Sequence, residues 1–188
     1  GWDGYIDEVK YYNFAKTAAQ IQAEYNSKSV PKGTSASFGA GSAATSLNQG
    51  LVGYWKMDEA SWTQDCTTST AADSSGNGNS GKSCPSTTGP TTTSGKFGYG
   101  GNFDGSNDYI DIPTTFSVPS LEGTASVWVY PTSATGYDIL AAGVTTNDFR
   151  LSPVQNLYGF FISSEYRVSY GTDPSLNTWT LVTLTWDQ

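Results

Sequence analysis

Residues 50–59 read GLVGYWKMDE and place Leu51, Gly53, Trp55 and Met57 on one face of an extended segment. Apolar residues at a period of two are the mark of a half-buried β-strand. The same period returns in NTWTLVTLTWDQ (177–188), where Val182, Leu184 and Trp186 share a face. In FGYGGNFDGSNDYIDIP (97–113) it is Ile110 and Ile112 that face one way. Between these lie TASVWVYP (124–131), DILAAG (138–143), DFRLSP (148–153), YGFFIS (158–163) and YRVSYG (166–171), each bounded by Gly, Pro or Asn. Short strands at such regular spacing predict an all-β sandwich or barrel.

The N-terminal stretch has a different grammar. GWDGYIDEVKYYNF (1–14) reads as a strand whose inward set is Ile6, Val9 and Tyr11. The step from Ile6 to Val9 breaks alternation, so a bulge is expected near Asp7 and Glu8. TAAQIQAEY (17–25) is the one helix candidate, with Thr17 capping and Gln20 answering it three residues later. Ile21 and Tyr25 then share a face, and so short a helix must lean on the sandwich to persist. Residues 27–49 are rich in Ser, Ala, Gly and Thr and read as a linker. A strand and helix followed by a linker read as the end of a domain, which places Gly1 inside a domain rather than at a natural start.

Composition narrows the function classes. The 188 residues carry a net charge of −8, and the nine Lys and Arg form no run. A nucleic-acid partner would need clustered basic residues, so that class is set aside, while a cation or a neutral polymer such as a glycan suits the balance. Histidine is absent, which removes the commonest general base and zinc ligand and every Ser-His or Cys-His arrangement. No apolar run approaches the ~20 residues that span a bilayer, so membrane insertion is not expected. Low Lys content beside abundant Ser, Thr, Gly and Asn suits an exported surface protein. Cys66 and Cys84 bracket a polar, turn-rich loop. A disulfide between them would stabilise by roughly 3 kcal/mol in the chain-entropy model and implies an oxidising compartment. The alternative is a pair of free surface thiols, or a metal pair lacking other ligands.

Taken in another order, these segments resemble the laminin-G-like family of jelly rolls, with concanavalin-type lectins and glucanases as wider relatives. A domain of that kind opens with a segment like GLVGYWKMDE, followed by a turn like DSSGNG (73–78). FDGSNDYIDIP (103–113), SVWVYP (126–131) and NTWTLVTLTWD (177–187) come next, and the domain ends on a strand and helix like GYIDEVKYYNFAKTAAQIQAEYN (4–26). The resemblance implies a two-sheet antiparallel jelly-roll sandwich with one short helix near the N-terminus. Here the family's last strand and helix come first, and strands normally found after a segment like TLTWDQ are missing. The chain thus reads as residues 1–26 from the tail of one repeat, a linker over 27–49, and the first two-thirds of the next repeat over 50–188. Residues 4–12 then either fold back beside residues 51–57 or complete a neighbouring chain by strand addition. An edge left open by the missing strands invites pairing with other copies or neighbouring repeats.

Candidate sites are of three kinds. Asp58 with Glu59, and Asp7 with Glu8, are adjacent carboxylates. Glycosidases of this fold family carry a Glu-x-Asp-x-x-Glu strand motif, and no segment here has that spacing. For metal, Asp73, Ser75, Asn77 and Asn79 set oxygen ligands on alternate residues of a Gly-rich turn, as calcium requires. Asp104, Ser106 and Asp108 repeat the pattern in part. In both loops the competing reading is side chains capping turns. By resemblance to pentraxins, Asn147 and Asp148 occupy a calcium-binding place. For glycan, Trp62, Tyr137, Tyr158 and Tyr166 are the loop or loop-edge aromatics on which a sugar ring could stack, whereas Trp55, Trp128 and Trp186 lie in strands and read as core. The expected function is a non-catalytic, extracellular or cell-surface adhesion module that binds a glycan or an extracellular protein. A structural or self-assembling repeat, and a glycoside hydrolase fragment, are the alternatives.

Overall fold

The computed structural model describes residues 1–27, 49–118, 121–134, 138–142, 149–154, 157–162, 165–169 and 174–187, and from Ala142 to Ser169, Leu151 apart, it describes backbone pairing only. It is an antiparallel β-sandwich with one short helix. The strands are β1 (Asp3–Tyr12), β2 (Leu51–Trp55), β3 (Ser69–Ala71), β4 (Gly81–Cys84), β5 (Thr91–Ser94), β6 (Tyr99–Asp104) and β7 (Tyr109–Asp111). They continue with β8 (Glu122–Pro131), β9 (Leu140–Ala142), β10 (Phe149–Val154), β11 (Leu157–Ile162), β12 (Glu165–Ser169) and β13 (Thr180–Asp187), and helix α1 spans Ala18–Ser27.

One layer is a six-stranded sheet in the order β13-β8-β1-β6-β5, with β2 also on β1. β1 is its centre. One flank pairs along most of its length with β8, from Gly4 opposite Pro131 to Tyr12 opposite Thr124. The other flank is shared end to end, Asp3–Ile6 with β6 and Val9–Tyr12 with β2. Of residues 4–12, it is therefore Val9–Tyr12 that lie beside residues 51–55 of their own chain. The register shift between Asp7 and Lys10, with Glu8 at a φ of 56°, is the bulge that the Ile6–Val9 step demands. It turns Ile6, Val9 and Tyr11 all inward.

A three-stranded sheet (β3-β4-β7) and a four-stranded sheet (β12-β11-β10-β9) pack toward the same core. From the large sheet that core takes Trp55, Phe103, Val127, Val129, Leu184 and Trp186, with Met57 beside them. Ala71, Ile110 and Ile112 meet them from the small sheet, and Ile139, Leu140 and Leu151 from the four-stranded one. Burying this much aromatic and aliphatic surface is the main term holding the layers together. The Cys66–Cys84 disulfide is formed and ties the loop after Trp62 to the end of β4. No described helix is long and apolar enough to cross a membrane.

Candidate functional site

α1 begins as its sequence dictates. Thr17 N–H donates to the Gln20 side-chain oxygen at 2.8 Å, and Gln20 N–H donates to Thr17 Oγ1 at 3.3 Å, a reciprocal capping box. The helix is anchored to the outer face of the large sheet through Glu24, whose two oxygens accept from Lys10 Nζ at 2.7 Å and Lys16 Nζ at 2.6 Å. Burial alone would push the Glu24 carboxyl up, but the two ammonium groups outweigh it and hold the group below its ordinary value. Lys16 is itself lowered, because its burial outweighs the attraction of Glu24.

Anchored there, α1 lays Tyr25 on Trp128, with ring centroids 5.5 Å apart and planes 26° apart. Trp128 is buried, as expected for a strand tryptophan, but on the outer face rather than between the sheets. Its cover is Tyr25, Phe97 edge-on at 5.9 Å, and Lys96 Nζ 4.7 Å from the ring centre. Alternation along β8 explains this, since Val127 and Val129 take the inward positions. Beside Trp128, a depression of about 540 Å³ lies between α1 and β13. Ile21, Gln22 and Tyr25 line it from the helix, and Trp179, Thr180, Leu181 and Thr183 from the sheet. Tyr25 keeps 43% of its surface exposed. Trp179 continues into a second aromatic group on the same face, 5.5 Å from Tyr130, which stacks on Tyr5 at 5.2 Å and 17°. No charged side chain among the described residues lines the depression.

The residues expected to carry ligands lie elsewhere. Trp62 is not a free platform: it is 9% exposed, packs in the core, and donates its indole N–H to Glu59 at 3.1 Å. The ring reaches across Gly101, where an added Cβ would stand 2.8 Å from it. Tyr158 and Tyr166 lie in β11 and β12, each paired with its neighbouring strand, and Tyr137 lies outside the described residues.

Asp73 organises a turn. Its Oδ1 accepts from the Tyr54 and Ser75 N–H groups at 3.0 and 2.9 Å, and its Oδ2 from Asn79 N–H at 2.9 Å. Burial raises the carboxyl, but these donors prevail and lower it. Asn77 turns its amide N–H toward the Leu51 and Val52 carbonyls and toward Ser75 Oγ. Asp73, Ser75 and Asn77 thus act as turn caps in this structure. In the 104–108 loop, Asp104 N–H donates to Asp108 and Ser106 N–H to Asp104, again as caps. Among the described residues no three or more acidic, Cys or His side chains gather as a metal cluster. Asn147 and Asp148 lie outside the described residues.

The adjacent carboxylates are also in structural use. Asp58 accepts from Tyr99 N–H at 3.0 Å, and Glu59 from Ala72 N–H at 2.9 Å and from Trp62. Asp7 is fully buried and accepts from Phe97 N–H at 2.9 Å, while Glu8 accepts from the Tyr54 hydroxyl at 2.5 Å. The Tyr25–Trp128–Trp179 surface was missed from sequence because its rings come from three separate segments. The signal for it was the shared face of Ile21 and Tyr25.

No curated protein and no solved structure gives a significant match to the chain. A laminin-G-like family model does match, over residues 104–188, and its description is the concanavalin A-like lectin/glucanases superfamily. The matched stretch runs from the end of β6 through β13, and its strands β8 and β13 are continued across the large sheet by β1, β6 and β5. Over residues 104–188, a little under half of the chain, this antiparallel sandwich is thus similar to the laminin-G-like members of the concanavalin A-like lectin/glucanases superfamily.

Proposed function

We propose that this chain is a non-catalytic binding module that holds a neutral carbohydrate on the outer face of its large sheet. The observation carrying this reading is the depression beside α1, where the rings of Tyr25 and Trp179 stand next to Gln22, Thr180 and Thr183 with no charged side chain among the described lining residues. A sugar offers an apolar ring face and a rim of hydroxyls. Half-exposed aromatic rings beside uncharged amide and hydroxyl groups complement both parts. The net charge of −8 disfavours sulfated or uronic-acid polymers. The family match over residues 104–188 supports a carbohydrate- or protein-binding role, and the structural employment of Asp7, Glu8, Asp58 and Glu59 supports binding without hydrolysis. The Cys66–Cys84 disulfide supports an extracellular or cell-surface setting.

Affinity electrophoresis against neutral glucans, mannans and chitin oligomers, followed by calorimetry on whichever retards the protein, tests this. Trp179→Ala is expected to weaken binding about tenfold, the equivalent of roughly 1.4 kcal/mol. Binding unchanged by Trp179→Ala and by Tyr25→Ala, or release of shortened oligosaccharides, would overturn the proposal.

A further inference from the structure

The turn organised by Asp73 carries a reactive pair that capping does not use. Asn77 and Gly78 form the one Asn-Gly step in the chain, and both residues are exposed. The N–H groups on either side of Gly78 are engaged. Asn77 N–H donates to Ser75 Oγ at 3.3 Å, and Asn79 N–H donates to Asp73 Oδ2 at 2.9 Å. The Gly78 N–H between them has no partner among the described residues. Nothing stands within 4 Å of where a Gly78 Cβ would be, and its φ of 77° is one that glycine adopts without strain. An unbonded and unshielded backbone nitrogen therefore follows directly on an exposed side-chain amide.

That amide is also the clasp between the turn and β2. Asn77 Nδ2 lies 3.1 Å from the Val52 carbonyl oxygen, 3.3 Å from that of Leu51 and 3.1 Å from Ser75 Oγ. Three acceptors compete for its two hydrogens, so the hold is loose, and the two carbonyls can only accept. We infer that Asn77 is a site of spontaneous deamidation, and that its conversion releases the turn from β2. In the first step the Gly78 nitrogen loses its proton and bonds to Asn77 Cγ, the Cγ–Nδ2 bond breaks, and Nδ2 leaves as ammonia. Water then opens the resulting succinimide at one of its two carbonyls. Opening at Cγ leaves aspartate. Opening at the main-chain carbonyl leaves isoaspartate, whose backbone runs through Cγ and is longer by one carbon. Either product carries a carboxylate and no side-chain N–H, so it faces the Leu51 and Val52 carbonyls with acceptors only. Leu51 pairs with Tyr12, so the end of β2 that is released lies beside β1. None of these residues lines the depression beside α1, and the modification and the carbohydrate site are independent.

The test ages the intact, folded chain in mildly alkaline buffer, where the attacking nitrogen loses its proton more readily. Peptide mass mapping follows the amide-to-acid mass gain at every Asn, with isoaspartate separated from aspartate. Asn77 is expected to convert at least tenfold faster than any other Asn, including Asn79, which is buried in the same turn and precedes Ser80. It is expected to give both acids. Gly78→Ala is expected to slow the conversion at least tenfold, and Ser75→Ala, which removes one acceptor from the clasp, to speed it at least twofold. Amide exchange across Leu51–Trp55 is expected to be at least fivefold faster in the converted chain than in fresh protein, and Asn77→Asp is expected to reproduce that change. Conversion of Asn77 no faster than that of Asn79, aspartate as the sole product, or exchange at β2 unchanged after conversion would each overturn the inference.

Discussion

At the scale of single residues, Trp62 separates core from platform. Its ring covers Gly101 and its N–H is committed to Glu59. Trp62→Ala is expected to cost about 3–5 kcal/mol, measured by denaturant unfolding, because a buried indole leaves a cavity that its neighbours only partly close. The surviving folded fraction should bind carbohydrate with unchanged affinity, whereas a drop in affinity at equal folded fraction would return Trp62 to the site. Sequence could not place this residue. It follows no alternating pattern, and what buries it is the absence of a side chain at Gly101, on a strand some forty positions later. Asp73 is ambiguous in sequence for a different reason. The Asp-x-Ser-x-Asn spacing of a cation loop is also the spacing of nested turn caps, and only the direction of the hydrogen bonds tells them apart.

At the scale of elements, α1 depends on one buried acid. Removing charge from Glu24 would leave buried Lys16 without its carboxylate and Lys10 with only Glu8, 3.7 Å away, and Glu24→Gln is expected to destabilise by about 3–5 kcal/mol near neutral pH. The pH dependence has a defined sign. Glu24 is held below the ordinary carboxylate range in the folded chain, so its contribution is complete above the unfolded value of about 4.3 and is lost as pH falls through the folded one. Between roughly pH 5 and pH 3 the native chain should therefore lose more stability than Glu24→Gln does. Equal acid sensitivity in chemical denaturation would show that the carboxylate is not the anchor. The elements themselves were largely legible. The Thr17–Gln20 box, the bulge after Asp7, and the inward triplets Ile6, Val9, Tyr11 and Val182, Leu184, Trp186 all stand where local pattern put them. What pattern could not supply was the outer cover of β8. Trp128 reads as core in any register, and the helix that covers it comes from about a hundred residues earlier.

For the molecule as a whole, the disulfide links the loop after Trp62 to β4 of the small sheet. It closes a loop with a sequence separation of 18, which corresponds to about 3 kcal/mol of lost unfolded-state freedom. The Cys66→Ser, Cys84→Ser double variant, or the reduced protein, should melt roughly 6–12 °C lower for a domain of this size. No change in the melting temperature would mean that the unfolded loop is already restricted. The shift would leave the depression beside α1 untouched, since none of its described lining comes from the loop.

The position of β1 has a consequence for synthesis. The central strand of the large sheet precedes in sequence every strand that flanks it, and Asp7 pairs opposite Trp128, 121 positions later (128 − 7). At about 5–20 residues per second, a translating ribosome leaves β1 without that partner for roughly 6–24 seconds. During that interval YIDEVKYY is an exposed strand template emerging ahead of everything that will flank it. In that interval its unpaired backbone is open to pairing with other extended segments until β8 arrives.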